Sequence, residues 1–185
     1  GHQTASTCRV QKKSNDKRGC CARTESRERM SNPIEITIFF DKGTRSFIRF
    51  DNPLSEAVCK DCLTGKSYPY IQNIGPVNVI ADVGANIGAS VVYFATLYPE
   101  ATIHAYEPSP RALPLLLSNT KTNNVQVHEF ALSDRNGTRT LYHDFQDCVK
   151  DSLHQPELFT LGNSEIEVWA AREELTDHGP IDILK

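Results

Sequence analysis

Two acids and a glycine-bearing turn carry the chemistry of this sequence. Asp82 sits in the apolar run Val79-Ile80-Ala81-Asp82-Val83, and Glu107 follows the run Thr102-Ile103-His104-Ala105-Tyr106. Gly84, Asn86 and Gly88 lie between them. An acid at the end of a second parallel strand can accept both hydroxyls of a ribose. A glycine directly after the first strand lets backbone approach a ligand closely. The start of the following helix favours a negatively charged group. The pattern therefore asks for a nucleoside with a free ribose diol and a charged tail, either a dinucleotide or S-adenosylmethionine (SAM).

These residues need a strand, a tight turn, a helix and a second strand. The first run is rich in β-branched residues, as a strand buried on both faces requires. Asn86 stands where it can cap the helix, and Gly88 allows that helix to pack close to the strand. Ile87, Val91, Phe94, Ala95 and Tyr98 recur at helical spacing until Pro99. A parallel pair joined by one helix crosses over right-handed, so Asp82 and Glu107 emerge at the carboxyl edge of the sheet, where open α/β sheets bind ligands.

Glycine spacing separates the two ligand classes. A dinucleotide fingerprint is G-x-G-x-x-G, its second glycine making room for the pyrophosphate. Here Asn86 fills that second place and Ala89 the third. Asp82 would repel a pyrophosphate, whereas it suits the ammonium of a methionine tail. SAM is the expected cofactor. An NAD(P)-dependent oxidoreductase and a catalytically incomplete SAM- or nucleoside-binding module are the alternatives.

The stretches DVGANIG, AYEPSP, LLSNTKTNNV, ALSDRNGT and IDILK, in this order and spacing, resemble the FkbM-type methyltransferases from roughly Ile34 to Lys185. The resemblance implies a SAM-dependent enzyme with a Rossmann-like class I fold, transferring a methyl group mostly to hydroxyl oxygens of sugars or natural products. It implies an α/β sheet with strand order 3-2-1-4 for the part present, preceded by a β-hairpin and a short helix. Asp82, Gly84, Asn86 and Gly88 are then cofactor residues at the methionine end. Glu107 takes the ribose, and Pro108 and Ala131 lie beside the adenine. The acceptor is a small molecule or glycan, and no catalytic residue is assigned. In that family IDILK leads into an Asp-x-Glu-Gly turn and further elements. The expectation is thus a fold truncated after its fourth strand, open to self-association along that edge and short of the groups needed for turnover.

A chain of 185 residues with 39% hydrophobic and 23% charged residues has the makings of one globular domain. Its net charge of −3 selects no partner class. Charge is unevenly placed. Residues 1–30 hold eight Lys/Arg against Asp16, Glu25 and Glu28, leaving 12 basic and 20 acidic residues for 31–185. Such a basic, apolar-poor arm does not fold alone. It reads as a disordered or non-native leader rather than a nucleic-acid or membrane arm. The expected organisation is this leader at 1–30, a hairpin and helix cap at 31–75 and the SAM-binding domain at 76–185. No apolar run reaches membrane-spanning length and no signal peptide opens the chain, so the expected place is the cytoplasm.

Cys59-Lys60-Asp61-Cys62 is a CxxC, but its only partners for a zinc site, Cys20 and Cys21, are poorly spaced. It reads as two thiols on a short helix over 54–65, and no metal is expected. The alternation of Ile34, Ile36, Ile38 and Phe40, a turn over Asp41–Thr44, and Phe47–Phe50 form a hairpin. A helix begins at Ser109-Pro110 and a third strand covers Val125–Ala131. Asn136-Gly137 turns the chain into a returning strand from Thr138 to His143, a turn reading that outweighs the glycosylation sequon there. His143, Asp147, Ser152 and His154 are polar groups a substrate could meet. Ile166–Ala170 is a strand with Trp169 in the core, and Ile181–Lys185 is the fourth parallel strand.

Overall fold

The computed structural model describes residues 9–13, 34–39, 45–50, 52–71, 74–122, 124–144, 151, 153–154 and 160–185. The two β-branched runs become adjacent parallel strands, β4 (Val79–Val83) and β5 (Thr102–Tyr106), with Val79 opposite Thr102 and Val83 opposite Tyr106. Their crossover is α2 (Ala89–Leu97), a helix apolar nearly all round and buried over most of its length. The sheet is completed by β6 (Val125–His128) beside β5 and β10 (Ile183–Leu184) beside β4. In chain order of these four parallel strands the arrangement is 3-2-1-4, the order that the family resemblance implied. The fold is α/β and Rossmann-like.

One face of this sheet carries Ile80, Ile103, Ala105 and Ile183 and packs with α2 into the main core. The core also takes Cys59, Cys62 and Leu63 from α1 (Pro53–Leu63) and Leu116 from α3 (Leu113–Asn119). Helix α1 starts where Asn52 accepts hydrogen bonds from the Leu54 and Ser55 N–H groups at 2.9 Å, with Pro53 at the first helical position. Cys59 and Cys62 are buried inside that core, the structural role the sequence suggested.

Ahead of the core, β2 (Ile34–Phe39) and β3 (Arg45–Phe50) pair antiparallel as expected; the turn at Asp41–Thr44 lies outside the described residues. A further strand, β1 (Arg9–Lys13), pairs with β2. The sequence reading gave this arm no element, because Lys and Arg dominate it and no apolar alternation marks it. Cys8, Cys20, Cys21 and Cys148 lie outside the described residues. The Asn119 amide joins the hairpin to the core. It accepts from the Arg49 N–H (2.8 Å) and donates to the carbonyls of Arg49 (2.9 Å) and Ile87 (2.8 Å).

Four sequence expectations are corrected. The third strand does not run to Ala131: β6 stops at His128, and Ala131–Ser133 is a separate strand, β7. β8 (Gly137–Asp144) does not return along β7. The long strand β9 (Thr160–Ala170) lies between them, parallel to β7 and antiparallel to β8. This second sheet has its own small core of Ala131, Leu141, Ile166 and Val168. The helix expected from Ser109 begins at Leu113, after a turn. Trp169 is 44% exposed, its ring stacked on Phe130 at 4.9 Å, rather than in the core. A last helix, α4 (Ala171–Asp177), follows β9, and none of its residues is buried. Among the described residues no helix is long and apolar enough to cross a membrane.

Candidate functional site

The carboxyl ends of β4 and β5 open into a cavity of about 430 Å³, within the range of small-molecule pockets. Its wall includes Gly84, Ala85, Asn86, Tyr106, Glu107, Pro108, Ala131, Leu132 and Asp151. Of the seven residues singled out in the sequence, Gly84, Asn86, Glu107, Pro108 and Ala131 line it; Asp82 and Gly88 do not.

Glu107 is the anchor. It follows the last residue of β5 and is only 5% exposed. Oε2 accepts the Asn86 N–H at 2.7 Å, and Oε1 accepts the Ser109 N–H at 2.7 Å. One carboxylate thus fastens the loop after β4 to the loop after β5. Burial pushes its pKa above the ordinary carboxylate range, the two N–H donors oppose that rise, and Asp151 nearby adds to it. Each oxygen keeps a second lone pair, so the group can still accept a hydroxyl from the cavity.

The turn between β4 and α2 has its own constraints. The N–H groups of Gly84 and Ala85 both donate to the Tyr106 carbonyl, at 2.9 and 3.0 Å, folding the turn over the end of β5. Gly84 has φ +74°, and among the described residues nothing stands within 4 Å of where its Cβ would be. That open space is what a close-approaching ligand needs. Asn86 does not cap α2: it adopts a left-handed φ of 50° inside the turn, and its Oδ1 accepts the Ile87 N–H at 2.7 Å. An Asn tolerates this conformation better than other side chains. Gly88 precedes α2 with φ +92°. A Cβ there would meet Leu116 Cδ1 and Thr120 Cγ2 at 3.0 Å, so its glycine admits α3 rather than the strand or a ligand.

Asp82 departs from expectation. It is fully buried, and β10 brings Lys185 alongside it, Nζ lying 2.7 Å from Oδ1. Among the described residues neither Asp82 oxygen meets a donor at hydrogen-bonding angles, so the contact with Lys185 is ionic rather than directional. The same ammonium donates to the Gly84 carbonyl at 2.7 Å. The cation beside Asp82 is therefore the protein's own. Parallel register predicts the pair, since Ile183 faces Ile80 and Leu184 faces Ala81; the sequence reading placed the strand without following it to Lys185.

Asp151 was also missed, because it lies in a loop with no periodic signal. Its side chain is 3% exposed. Oδ2 accepts Ser109 Oγ–H at 2.7 Å and faces His143 Nδ1 at 3.0 Å. Oδ1 accepts from Arg111 Nη1 at 3.1 Å and from the Asp144 N–H at 3.0 Å. His143 Nε2 in turn lies 2.7 Å from Ser164 Oγ. The line Ser164–His143–Asp151 has the connectivity of a nucleophile, base and carboxylate. Neither Ser164 nor His143 lines the cavity, however, and Asp151 is saturated. The network ties β8 and β9 to the turn that precedes α3. Of the remaining polar candidates, His154 is exposed, and Asp147 and Ser152 lie outside the described residues.

On the other face of the sheet, His104, His128 and His178 come together although they are far apart in sequence. Tyr106, on the same face, donates to Glu174 Oε1 at 3.3 Å, and burial beside that carboxylate raises its pKa.

Comparison with known proteins gives partial matches to methyltransferases. The chain is 38% identical over 73 residues to the 31-O-demethyl-FK506 methyltransferase FkbM of Streptomyces tacrolimicus, covering 37% of this chain and 28% of that protein. It is 33% identical over 107 residues to methyltransferase sdnD of Sordaria araneosa, covering 56% and 40%. It is 29% identical over 108 residues to methyltransferase 1 of Beauveria bassiana, covering 53% and 42%. The matched regions thus span well under half the length of these relatives. No family model and no solved structure matches the chain.

Proposed function

We propose, from this kinship with methyltransferases, that the chain carries the cofactor-binding part of a SAM-dependent methyltransferase of FkbM type, acting on a hydroxyl of a small-molecule or glycan acceptor. The observation that carries the reading is Glu107: a buried carboxylate at the carboxyl end of the second strand, on the cavity wall, beside an unobstructed Gly84. A ribose diol is the ligand group that such a carboxylate suits.

The residues present fit the cofactor. Glu107 would take the ribose hydroxyls. Gly84 and Asn86 would offer backbone to the methionine end, and Pro108, Ala131 and Leu132 an apolar wall to the adenine. Asp82 acts through Lys185, whose ammonium presents positive charge suited to the methionine carboxylate. When bound, SAM supplies an electrophilic methyl group on a sulfonium. The protein's part is to hold that group and exclude water, and methyl transfer draws much of its rate from such positioning. Glu107 and Asp151 are the acids on the wall, both engaged in holding loops, so neither is assigned as a base.

Calorimetry with S-adenosylhomocysteine, NAD and NADP tests the reading. Preferential binding of S-adenosylhomocysteine, weakened in Glu107→Gln, is the expected result. Preference for a nicotinamide cofactor would overturn it.

A further inference from the structure

We propose that His104, His128 and His178 form a binding site for one divalent transition-metal ion of borderline softness, such as Zn²⁺, on the sheet face turned away from the helical core. The site is separate from the cofactor cavity, and its case stands whether or not the chain binds SAM.

Three elements supply the ligands. His104 lies in β5, in register with Ala81 of β4, and His128 lies in β6, in register with Tyr106. Side chains in register share a face, so both imidazoles leave the sheet on the side away from Ile103 and Ala105. His178 caps the carboxyl end of α4. One ligand nitrogen from each ring lies within 4.8 Å of the others. His104 Nδ1 and His128 Nε2 are 3.1 Å apart, close to the roughly 3.3 Å that tetrahedral ligation at about 2.0–2.1 Å imposes on neighbouring nitrogens. That spacing suits a hydrogen bond between two neutral rings, and a cation would take the place of its proton.

The surroundings favour a cation. His104 is 5% exposed, and burial with two neighbouring imidazoles lowers its pKa to about 4. His128 is lowered as well, chiefly by burial. His104 and His128 are therefore neutral at physiological pH, the form that binds metal. Glu174 brings one carboxylate, 3.1 Å from His178 Nε2 and 3.8 Å from His128 Nδ1. A carboxylate hydrogen-bonded to a ligating imidazole orients the ring and raises its basicity. Loading requires one movement. The His104 and His178 rings stack at 3.6 Å with planes 22° apart, and nearly parallel rings cannot both aim lone pairs at one ion. His178, at the end of a helix with no buried residue, turns about its soft second torsion to do so. The ion would then fasten α4 to the sheet, a role its side chains do not fill by apolar burial.

The test uses the full chain, stripped with a chelator and titrated with Co²⁺. The expected result is one equivalent bound with visible d–d bands, no thiolate charge-transfer band, displacement by Zn²⁺, and a Tm raised by Zn²⁺. His178→Ala and His128→Phe should each weaken binding by more than about 100-fold, beyond the range for loss of an outer-shell partner. Glu174→Gln should weaken it by roughly 10–100-fold. The Phe variant keeps a ring against Tyr106 and Phe130, and near-ultraviolet circular dichroism checks that both variants are folded. Absence of binding, a thiolate band pointing to Cys59 and Cys62, or unchanged affinity in both folded histidine variants would overturn the site.

Discussion

Replacing Glu107 by Gln separates its two roles, because the side chain keeps its volume and loses its charge. In the native protein each carboxylate oxygen accepts one backbone N–H at 2.7 Å, from Asn86 and from Ser109. An amide has one acceptor and one donor end, so one of these N–H groups must face an NH₂. A buried donor left without a partner costs about 1–3 kcal/mol, and relief from the buried charge offsets part of it. The net expectation is a loss of about 2 kcal/mol, or roughly 4–8 °C in Tm for a chain this size. Affinity for S-adenosylhomocysteine falls further, by about 1.5–3 kcal/mol for a hydrogen bond to a charged group, which is roughly 10–150-fold. Acidity adds a second signature. The folded-state pKa is raised above the ordinary 4.5, so Glu107's own contribution to stability is fully present below the unfolded value and is lost as pH rises through the folded one. Ligand binding needs the ionised form and runs the opposite way, weakening as pH falls through the same window. Differential scanning fluorimetry and calorimetry from pH 4.5 to 8, on the wild type and Glu107→Gln, read both slopes. A variant with unchanged Tm refutes the loop-fastening role. A destabilised variant that binds with unchanged affinity and pH profile refutes the ribose role.

Lys185→Met leaves the buried Asp82 carboxylate without its cation and should cost about 3 kcal/mol, roughly 6–12 °C in Tm. The double variant with Asp82→Asn should recover most of that, and equal melting of wild type, single and double variants would dismiss the pair. Gly88→Ala, at positive φ and pressed on Leu116 and Thr120, should lose about 2 kcal/mol or more in urea unfolding. Gly84→Ala, with open space around it, should lose about 1 kcal/mol from backbone strain alone, while binding of S-adenosylhomocysteine ranks the two in the reverse order. Cys59 and Cys62 are buried, and burial raises the Cys62 thiol. Both should resist Ellman's reagent in the native protein and react on unfolding, and fast native labelling would contradict the packing.

Burial on both faces made the parallel core legible. A central strand must be apolar on both sides, so Val79–Val83 and Thr102–Tyr106 stand out, and a crossover helix fixes which end of each carries Asp82 and Glu107. The same logic fails for β7, β8 and β9. The turn at Asn136-Gly137 suggests local return, whereas β9 arrives from far along the chain to sit between the other two, and long-range insertion leaves no local trace. Asn86 was misread for a related reason: a residue suited to capping a helix is equally suited to a left-handed turn. Lys185 beside Asp82 and the three histidines depend on lateral register, which appears only once strands are aligned.

Asn119 has a consequence for how the molecule opens. Its amide exchanges both backbone hydrogen bonds with Arg49 at the end of β3 while holding the Ile87 carbonyl of the turn beside the cavity, acting as a one-residue strand. Breaking that clasp exposes three backbone groups at once, so the hairpin's inner strand and the turn should open as one cooperative unit. In native-state hydrogen exchange the Arg49 amide would share the opening free energy of the Asn86 amide rather than that of its neighbours along β3. Asn119→Ala would split that shared value into two lower ones.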